Sequence, residues 1–186
     1  NAKMAKSSGK IATVQDLIDK EYEPLDYRYL CLTAHYSRAL NFTFAGLDGA
    51  KNARENLNNK IIEIKSNLDS KNPSKVKGYE KRFLEGINDD LDMPKALAIL
   101  WEVVKSSDLG NKEKFGLIKK FDEILGLDLA ELKEAKVPAD VKKLADEREK
   151  ARKDKDFKKA DKLRDEIKAK GYVLEDSKEG IRIRAI

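Results

Sequence analysis

The sequence predicts a mainly α-helical protein, in which an antiparallel helix bundle is followed by a small helical unit with a terminal β-hairpin. Apolar residues recur every three or four positions along most of the chain, which is the period of an α-helix. Only 10 glycines and 4 prolines interrupt the 186 residues, and 39% of the residues are charged. This composition is typical of long helices with solvated outer faces. Two short runs of β-forming residues near the C-terminus predict the hairpin.

Three helices are predicted in the first part of the chain. Thr13-Val14-Gln15-Asp16 is a variant capping box and predicts a short helix to about Lys20. The apolar run Tyr29-Leu30-Cys31-Leu32 predicts a buried second helix over residues 25–36. Thr43 is a good N-cap for a long third helix. The apolar stripe predicted for this third helix consists of Ala50, Ala53, Leu57, Ile61, Ile64 and Leu68.

Three further helices are predicted after a polar connection over residues 66–77. The first covers residues 76–88. The second follows the N-cap Asp92, with Pro94 in its first turn, and a break at residues 108–111 separates it from the third. Together with the earlier helices they predict an antiparallel bundle. The inner faces predicted for the three helices contain Tyr79, Phe83 and Ile87, then Leu97, Leu100, Trp101 and Val104, then Phe115, Ile118, Phe121 and Leu125.

The C-terminal part is predicted to contain two helices and a hairpin. The helices cover residues 139–154 and 157–170, and short β-forming runs at residues 172–174 and 181–183 flank a turn region at residues 176–180. The second helix has an apolar stripe that consists of Phe157, Ala160, Leu163 and Ile167.

Positive charge is concentrated in one segment. The chain has a net charge of +5, and residues 142–170 hold thirteen Lys and Arg against eight Asp and Glu, so the remaining residues sum to zero. A positive field confined to one segment indicates an anionic partner such as nucleic acid. The alternative is a solvated helix with many ion pairs, and charge alone does not decide between them.

The sequence contains no recognisable catalytic constellation. The single Cys31 excludes an internal disulfide, and the single His35 excludes a cluster of histidine and cysteine metal ligands. We expect Cys31 to be a buried thiol and His35 to be structural. Asp89, Asp90 and Asp92 immediately precede a helix, so capping and the helix dipole explain them better than a metal site does.

The chain has no segment of the kind that targets a protein to a membrane. No apolar run reaches the ~18 residues needed to span a bilayer, and no N-terminal apolar stretch of the signal-peptide type is present. No membrane partner is therefore expected, and a reducing cytosol fits the single cysteine. Because the chain starts at Asn rather than Met, we expect that upstream residues have been removed.

The first residues form a lysine-containing loop, Lys3-Met4-Ala5-Lys6-Ser7-Ser8-Gly9. Two lysines with small neighbours can bind a polyphosphate through their charge and through backbone donors. The alternative is a solvated tail.

Blocks along nearly the whole chain resemble cysteinyl-tRNA synthetases, a family of class I aminoacyl-tRNA synthetases. Lys3-Met4-Ala5-Lys6-Ser7 resembles the KMSKS loop, with Ala5 in place of the usual Ser and both lysines retained. The other matching blocks, in collinear order, are Thr13-Val14-Gln15-Asp16-Leu17-Ile18, Tyr27-Arg28-Tyr29-Leu30, Ala34-His35-Tyr36-Ser37-Arg38, Leu40-Asn41-Phe42, Asn88-Asp89-Asp90-Leu91-Asp92-Met93-Pro94-Lys95-Ala96-Leu97, Ala151-Arg152-Lys153-Asp154-Lys155-Asp156-Phe157, Ala160-Asp161, Arg164-Asp165 and Val173-Leu174-Glu175-Asp176.

The resemblance implies three regions. Residues 1–20 would be the KMSKS loop and a connecting helix, residues 21–130 a DALR-type helical bundle, and residues 131–186 a C-terminal anticodon-recognition unit. Enzymes of this family are cytoplasmic ligases that activate cysteine with ATP and transfer it to tRNA(Cys). Their Rossmann catalytic domain and zinc site precede the KMSKS loop. The resemblance therefore implies that this chain is inactive alone and carries no cofactor of its own, with ATP and zinc belonging to the missing catalytic domain.

The implied partners are the anticodon region of tRNA(Cys) and the protein's own catalytic domain. In the complete enzyme Lys6, assisted by Lys3, is expected to contact the phosphates of ATP as part of the catalytic machinery. An ammonium at the pyrophosphate stabilises the charge that develops during adenylate formation.

Four residues match anticodon contacts of the family: Arg152, Phe157, Asp161 and Asp176. Guanidinium and aromatic planes can stack on splayed-out bases, and carboxylates accept hydrogen bonds from base amino and imino groups. Phe157 stands where a Trp can occur in the family. Phenylalanine keeps a π face at this position but lacks the indole N–H donor. Three nearby cations are expected to bind phosphates instead, namely Arg148, Lys153 and Arg164.

Structural alternatives remain open for three of these residues. Phe157 fits the apolar stripe of its helix and can pack in a core. Asp161 can form a surface ion pair with Lys158 or Arg164, and Asp176 can organise the hairpin turn. For the whole chain the alternatives are an independent helical RNA-binding module and a protein-interaction helical bundle.

Overall fold

A computed structural model of the chain describes residues 13–133, 138–177 and 180–185, and beyond Leu174 the only side chain it describes is that of Ile183. These residues form eight helices, a 3₁₀ turn at Pro73–Lys75 and two strands. The helices are α1 (Val14–Ile18), α2 (Pro24–Leu32), α3 (Phe44–Ser66), α4 (Val76–Asn88), α5 (Met93–Lys105), α6 (Asn111–Leu125), α7 (Ala139–Lys153) and α8 (Phe157–Ala169). The strands are β1 (Tyr172–Ser177) and β2 (Gly180–Ala185). The mainly α-helical fold class is confirmed.

The chain divides into two compact units, unit 1 at Asn1–Leu132 and unit 2 at Lys133–Ile186. Unit 1 contains α1 to α6, and unit 2 contains α7, α8 and the hairpin. Among the described helices, none is long and apolar enough to cross a lipid bilayer.

The start of unit 1 follows the sequence signals, but α2 is shorter than predicted. The predicted capping box of α1 is present. The helix α2 ends at Leu32 rather than near residue 36. The Thr33 hydroxyl donates to Leu30 O at 2.6 Å, and the side chains of His35 and Ser37 hydrogen-bond at 2.7 Å. Such local side-chain bonds compete with helix continuation, which explains the earlier end.

The long helix α3 has the predicted start and most of the predicted apolar stripe. Gly46 N donates to Thr43 Oγ1 at 3.0 Å, which confirms Thr43 as the N-cap. Leu68 was wrongly assigned to the stripe, because α3 ends at Ser66 and leaves Leu68 exposed. Ala53 is half-buried. The stripe members that are buried are Ala50, Leu57, Ile61 and Ile64.

A charged pair inside unit 1 connects α2 to α3. Arg54 Nε donates to Asp26 Oδ1 at 2.7 Å, and Arg54 Nη2 donates to Glu23 Oε2 at 2.6 Å. The exposed fractions of Arg54 and Asp26 are 5% and 0%. Removal of either partner would leave the other charge buried without compensation, which would destabilise the fold.

The core of unit 1 combines residues from all six helices. The rings of Phe83 and Phe121 stack with their centroids 3.9 Å apart and their planes 3° from parallel. Trp101 Nε1 donates to the Tyr29 hydroxyl at 2.9 Å, which satisfies both polar groups at the edge of this core. Other fully buried side chains include Leu47, Leu57, Ile61, Leu100, Leu117, Ile118 and Leu125.

The C-terminal end of α6 contacts α2. Gly126 ends the helix in the left-handed conformation, with φ +60. Arg28 Nε donates to Leu125 O at 2.6 Å, and a Cβ atom at Gly126 would lie 2.7 Å from Arg28 Nη2. The left-handed backbone therefore favours glycine at this position, and a side chain there would also displace the Arg28 guanidinium.

Three aspartates between α4 and α5 stabilise the turn that joins the two helices. Lys95 N donates to Asp92 Oδ1 at 3.0 Å, which confirms the predicted N-cap. Asp90 Oδ1 accepts from the Tyr36 hydroxyl at 2.6 Å, and Asp89 Oδ2 lies 3.4 Å from Lys95 Nζ. Each carboxylate is thus engaged by a neighbouring donor.

Unit 2 packs α7, α8 and the hairpin around a small core. Asp156 is the N-cap of α8, and its side chain accepts from Lys159 N at 3.1 Å. At the other end of α8, Lys170 Nζ lies 2.7 Å from Asp140 Oδ2 at the start of α7. The core consists of Val141, Ala145 and Ile167, against which Leu144, Tyr172, Leu174 and Ile183 pack.

The two strands form the predicted antiparallel hairpin but are longer than expected. Their register pairs Asp176 with Ile181 and Ser177 with Gly180. The interpretation of residues 176–180 as a turn region is therefore wrong, because Asp176 lies within β1 and Gly180 begins β2.

Candidate RNA-binding surface

The predicted RNA-binding residues of unit 2 cluster where α7 passes into α8. Arg152 and Lys153 belong to the last turn of α7, and Phe157 is the first residue of α8. Residues 154–156 form the link between the two helices. Two of its three residues are helix caps, since Asp154 is the C-cap of α7 and Asp156 is the N-cap of α8.

The ring of Phe157 faces solvent. Its exposed fraction is 61%, so the interpretation of Phe157 as a core residue is wrong. The buried residues Ala160, Leu163 and Ile167 define the inner face of α8. At 100° per residue, Phe157 lies about 90° around the helix from the centre of that face. The sequence stripe therefore included one residue too many, and the structure leaves an aromatic face open to a ligand.

Asp161 and Arg164 lie on the same flank of α8 as Phe157. The three residues are separated by four and three positions, which brings them to one side of a helix. Both Asp161 and Arg164 are exposed. Within the described part of the chain Asp161 forms no ion pair with Lys158 or Arg164. The described residues therefore do not contain the surface ion pair that was the alternative role for Asp161. An aromatic ring, a carboxylate and a guanidinium thus share one solvated surface.

Arg152 and Lys153 present two cations in the last turn of α7, in different environments. Both side chains are exposed. Lys153 Nζ lies 2.9 Å from Glu149 Oε1 one turn earlier. The hydrogen bond to Glu149 and the negative charge of Glu149 raise the pKa of the Lys153 ammonium above its usual value. Lys153 therefore stays protonated, and the adjacent carboxylate of Glu149 offsets part of its positive field.

The burial of Arg148 does not fit a phosphate contact. Its exposed fraction is 7%, and it lies on the inner face of α7 with Val141 and Ala145. Phosphate oxygens bind to guanidinium groups that are open to solvent, so we correct the earlier interpretation and regard Arg148 as part of the interior of unit 2. The pattern of residues did not predict this burial, because α7 has arginine and lysine on several faces.

The remaining candidates cannot be placed on this surface. The side chain of Asp176 lies outside the described part, although its backbone is paired in β1. Lys3 and Lys6 lie outside the described residues.

The link between the helices contains a feature that the sequence did not indicate. Lys155 has a left-handed backbone with φ +59. Glycine and asparagine are the usual residues in that conformation, so no pattern search for turns would select a lysine.

Residues 134–184 match the family model described as "Cysteinyl-tRNA ligase anticodon binding domain". This range contains α7, α8 and most of the hairpin, and so includes the exposed flank of α8.

Almost the whole chain is similar to curated proteins named cysteine–tRNA ligase. It is 40% identical to the protein from Borrelia turicatae over 201 aligned positions, which cover 98% of this chain and 42% of the relative. It is 38% identical to cysteine–tRNA ligase 1 from Burkholderia lata, over 98% of this chain and 38% of the relative. The relative from Treponema denticola is 33% identical over 94% of this chain and 42% of its own length. The chain thus spans about two fifths of the length of these relatives.

Proposed function

The chain belongs to the cysteine–tRNA ligase family, and from this membership we propose that it is the tRNA-binding part of a ligase that joins cysteine to tRNA(Cys) with ATP. One observation carries the proposal. Phe157, Asp161 and Arg164 share an exposed flank of α8 inside the residues that match the anticodon-binding family. Such a flank combines the three chemical groups needed to bind an unstacked nucleotide.

Each group on the flank has a distinct role in the proposal. The Phe157 ring stacks on a base of the anticodon loop, a contact that contributes about 1–3 kcal/mol per base. The Asp161 carboxylate accepts hydrogen bonds from the amino or imino groups of a base, which phosphate cannot supply. Arg164 binds a phosphate of the loop. A carboxylate within a positive segment is unfavourable for phosphate binding, which favours base readout at Asp161.

Arg152 and Asp176 complete the proposed anticodon contacts. Arg152 lies in the last turn of α7 and is exposed next to the start of α8. Its planar guanidinium can stack on a base or donate along a base edge. Asp176 is proposed as a second carboxylate acceptor. Lys153 is proposed to contribute a weaker phosphate contact, because Glu149 already occupies its ammonium.

The rest of the enzyme follows from the family. We propose that residues 21–130 form the DALR-type bundle and that residues 131–186 form the anticodon-recognition unit. Residues 1–20 would include the loop from which Lys6, with Lys3, contacts ATP phosphates. ATP and zinc would bind to the catalytic domain outside this chain. The complete ligase would act in the cytoplasm, and this chain alone would not charge tRNA.

Binding of stem-loop RNA to the 186-residue chain tests the proposal. Fluorescence anisotropy would compare a stem-loop that carries the cysteine anticodon GCA with the same stem-loop carrying a changed anticodon. We expect tighter binding of the GCA stem-loop. Phe157→Ala should weaken it about tenfold or more, as expected for one lost base stack, and Phe157→Trp should retain it.

A matched control is available in unit 1. Phe44 is also the first residue of a helix and is 45% exposed. Phe44→Ala should leave binding of the stem-loop unchanged. Equal affinity for both anticodons, or equal effects of Phe157→Ala and Phe44→Ala, would contradict the proposal.

A further inference from the structure

Among the described helices, α4, α6, α7 and α8 are each followed within two residues by a residue in the left-handed conformation. After α6 this residue is Gly126 with φ +60, and after α8 it is Gly171 with φ +82. After α7 it is Lys155 with φ +59. After α4 it is Asp90 with φ +52. Two of the four positions thus use glycine, which adopts this conformation without steric cost, and Asp90 has the short polar side chain that also tolerates it. Lysine has neither property and is strained there. Strained residues concentrate at functional sites, so the side chain of Lys155 requires an explanation.

The helix dipole does not explain the lysine. A cation near the C-terminal end of a helix is favourable. However, the last turn of α7 already contains Lys150, Arg152 and Lys153. A fourth cation is repelled by these three, and this repulsion offsets any further stabilisation by the helix dipole.

Intramolecular contacts do not explain it either. Lys155 is exposed, and its ammonium has no ion pair or hydrogen bond with any other residue in the described ranges. Its acidic neighbours are Asp154 and Asp156, and the Asp156 carboxylate is directed to the backbone of Lys159 as the cap of α8. The nearby Lys153, in contrast, is paired with Glu149.

The position of Lys155 indicates its ligand. It lies in the link between Arg152, at the end of α7, and Phe157, two residues further along at the start of α8. A nucleotide whose base stacks on Phe157 carries its phosphate within a few ångströms of the base. We propose that Lys155 is a further RNA-binding residue, which contacts the phosphodiester of the nucleotide that stacks on Phe157. This inference rests on the proposed function and extends it to one more residue. The charge of Lys155 would explain why a strained lysine stands where glycine would fit.

Variants of Lys155 separate its charge from its backbone. Lys155→Gln removes the charge and keeps a strained side chain, Lys155→Gly removes both charge and strain, and Lys155→Arg keeps the charge. Their affinity for the GCA stem-loop would be measured by anisotropy between 50 and 200 mM salt, and their unfolding by thermal scans. Glu21→Gly is the matched control, because Glu21 has φ +65 in unit 1.

We expect Lys155→Gln and Lys155→Gly to bind the stem-loop about fivefold more weakly at 0.1 M salt. Both should reduce the slope of log affinity against log salt by about 0.7–0.9, the value for one phosphate contact. Lys155→Gly should not unfold at a lower temperature than the wild type, and Lys155→Arg should retain both affinity and slope. Glu21→Gly should change neither. Loss of binding together with unchanged or increased stability is not expected of a purely structural residue.

Two results would overturn the inference. One is an unchanged affinity and salt slope in Lys155→Gln. The other is a loss confined to Lys155→Gly, which would assign the effect to the backbone of the link. Both are distinguishable from failure of the proposed function, because in that case the wild-type chain would not prefer the GCA stem-loop and Phe157→Ala would have no effect.

Discussion

Arg54 and Asp26 form an ion pair inside the bundle, with Arg54 Nε 2.7 Å from Asp26 Oδ1 and with exposed fractions of 5% and 0%. We expect Asp26→Ala to lower the free energy of unfolding by about 3 kcal/mol, because it leaves a buried guanidinium without its main partner. The double variant Asp26→Leu/Arg54→Met should recover much of this loss. Urea unfolding of the three proteins measures these differences.

A surface pair provides the control for this prediction. Lys81 Nζ lies 3.7 Å from Glu85 Oε1 in α4, and both side chains are exposed. Lys81→Ala should change stability little, since exposed pairs contribute weakly. A loss in Asp26→Ala no larger than that in Lys81→Ala would contradict the assigned role of the buried pair.

Leu100 is completely buried in the core of unit 1. We expect Leu100→Ala to lower the free energy of unfolding by about 2–5 kcal/mol, from lost burial and from the cavity that remains. Because the variant leaves unit 2 unchanged, its affinity for the anticodon stem-loop should equal that of the wild type at a temperature where both are folded. A parallel loss of RNA binding would show that the bundle contributes to anticodon recognition.

Asp161 is expected to determine which base is bound rather than how tightly RNA is held. We expect Asp161→Asn to reduce the difference in binding free energy between the GCA stem-loop and a stem-loop with a changed anticodon by about 1–3 kcal/mol. Anisotropy titrations with both RNAs measure this difference. If affinity for both RNAs falls by the same factor, Asp161 does not read a base.

Arg164 and Lys153 should differ in their effect on the salt dependence of RNA binding. Arg164→Ala should reduce the slope of log affinity against log salt by about 0.7–0.9, the value for one phosphate contact. Lys153→Ala should reduce it less, because Glu149 already pairs with the ammonium. Lys162, on the opposite side of α8 from Arg164, is the control position and should have no effect. Equal slopes for Arg164→Ala and Lys162→Ala would contradict the assignment of the flank.

The pair of Asp140 and Lys170 makes the stability of unit 2 dependent on pH. The hydrogen bond from Lys170 lowers the pKa of the Asp140 carboxyl below its ordinary value, and the same bond raises the pKa of Lys170. A carboxyl with a lowered pKa stabilises the folded state above its unfolded pKa, and this contribution is lost as the pH falls through the folded pKa. The raised pKa of Lys170 stabilises the folded state below the unfolded pKa of the lysine. This contribution to stability is lost as the pH rises through the folded pKa.

Lys170→Ala tests this dependence. We expect the variant to unfold at a lower temperature than the wild type at pH 7. The difference should shrink as the pH falls through the lowered pKa of the folded Asp140 carboxyl, because the carboxylate then loses its charge. Thermal scans at pH 7 and at pH 2.5 measure it. An equal difference at both pH values would assign the effect of Lys170 to packing rather than to charge.

Helix starts were predictable from the sequence because their signals are local. Thr43 and Asp92 accept hydrogen bonds from backbone groups three residues later, as their position before an apolar run predicted. Helix ends were less predictable. The early end of α2 at Leu32 depends on side-chain hydrogen bonds within the following loop, and one of its residues, Tyr36, bonds to Asp90 far along the chain.

The candidate site was predictable by residue type but not by orientation. Periodicity placed Phe157 in the apolar stripe because a helix repeat does not tell where the inner face stops. It also gave no reason to separate Arg148 from Arg152, although the first is buried and the second is exposed. Which side of a short helix is covered depends on the hairpin that packs against it, and that packing is tertiary.

The bond from Arg28 to the carbonyl of Leu125 joins residues 97 positions apart. While the protein is being made on the ribosome, α2 therefore emerges long before its partner exists, and the guanidinium can settle over Gly126 only after α6 has been completed. Closure of the bundle is thus a late event in synthesis. A nascent chain that stops short of Gly126 would leave the first helices without the contact that locks them.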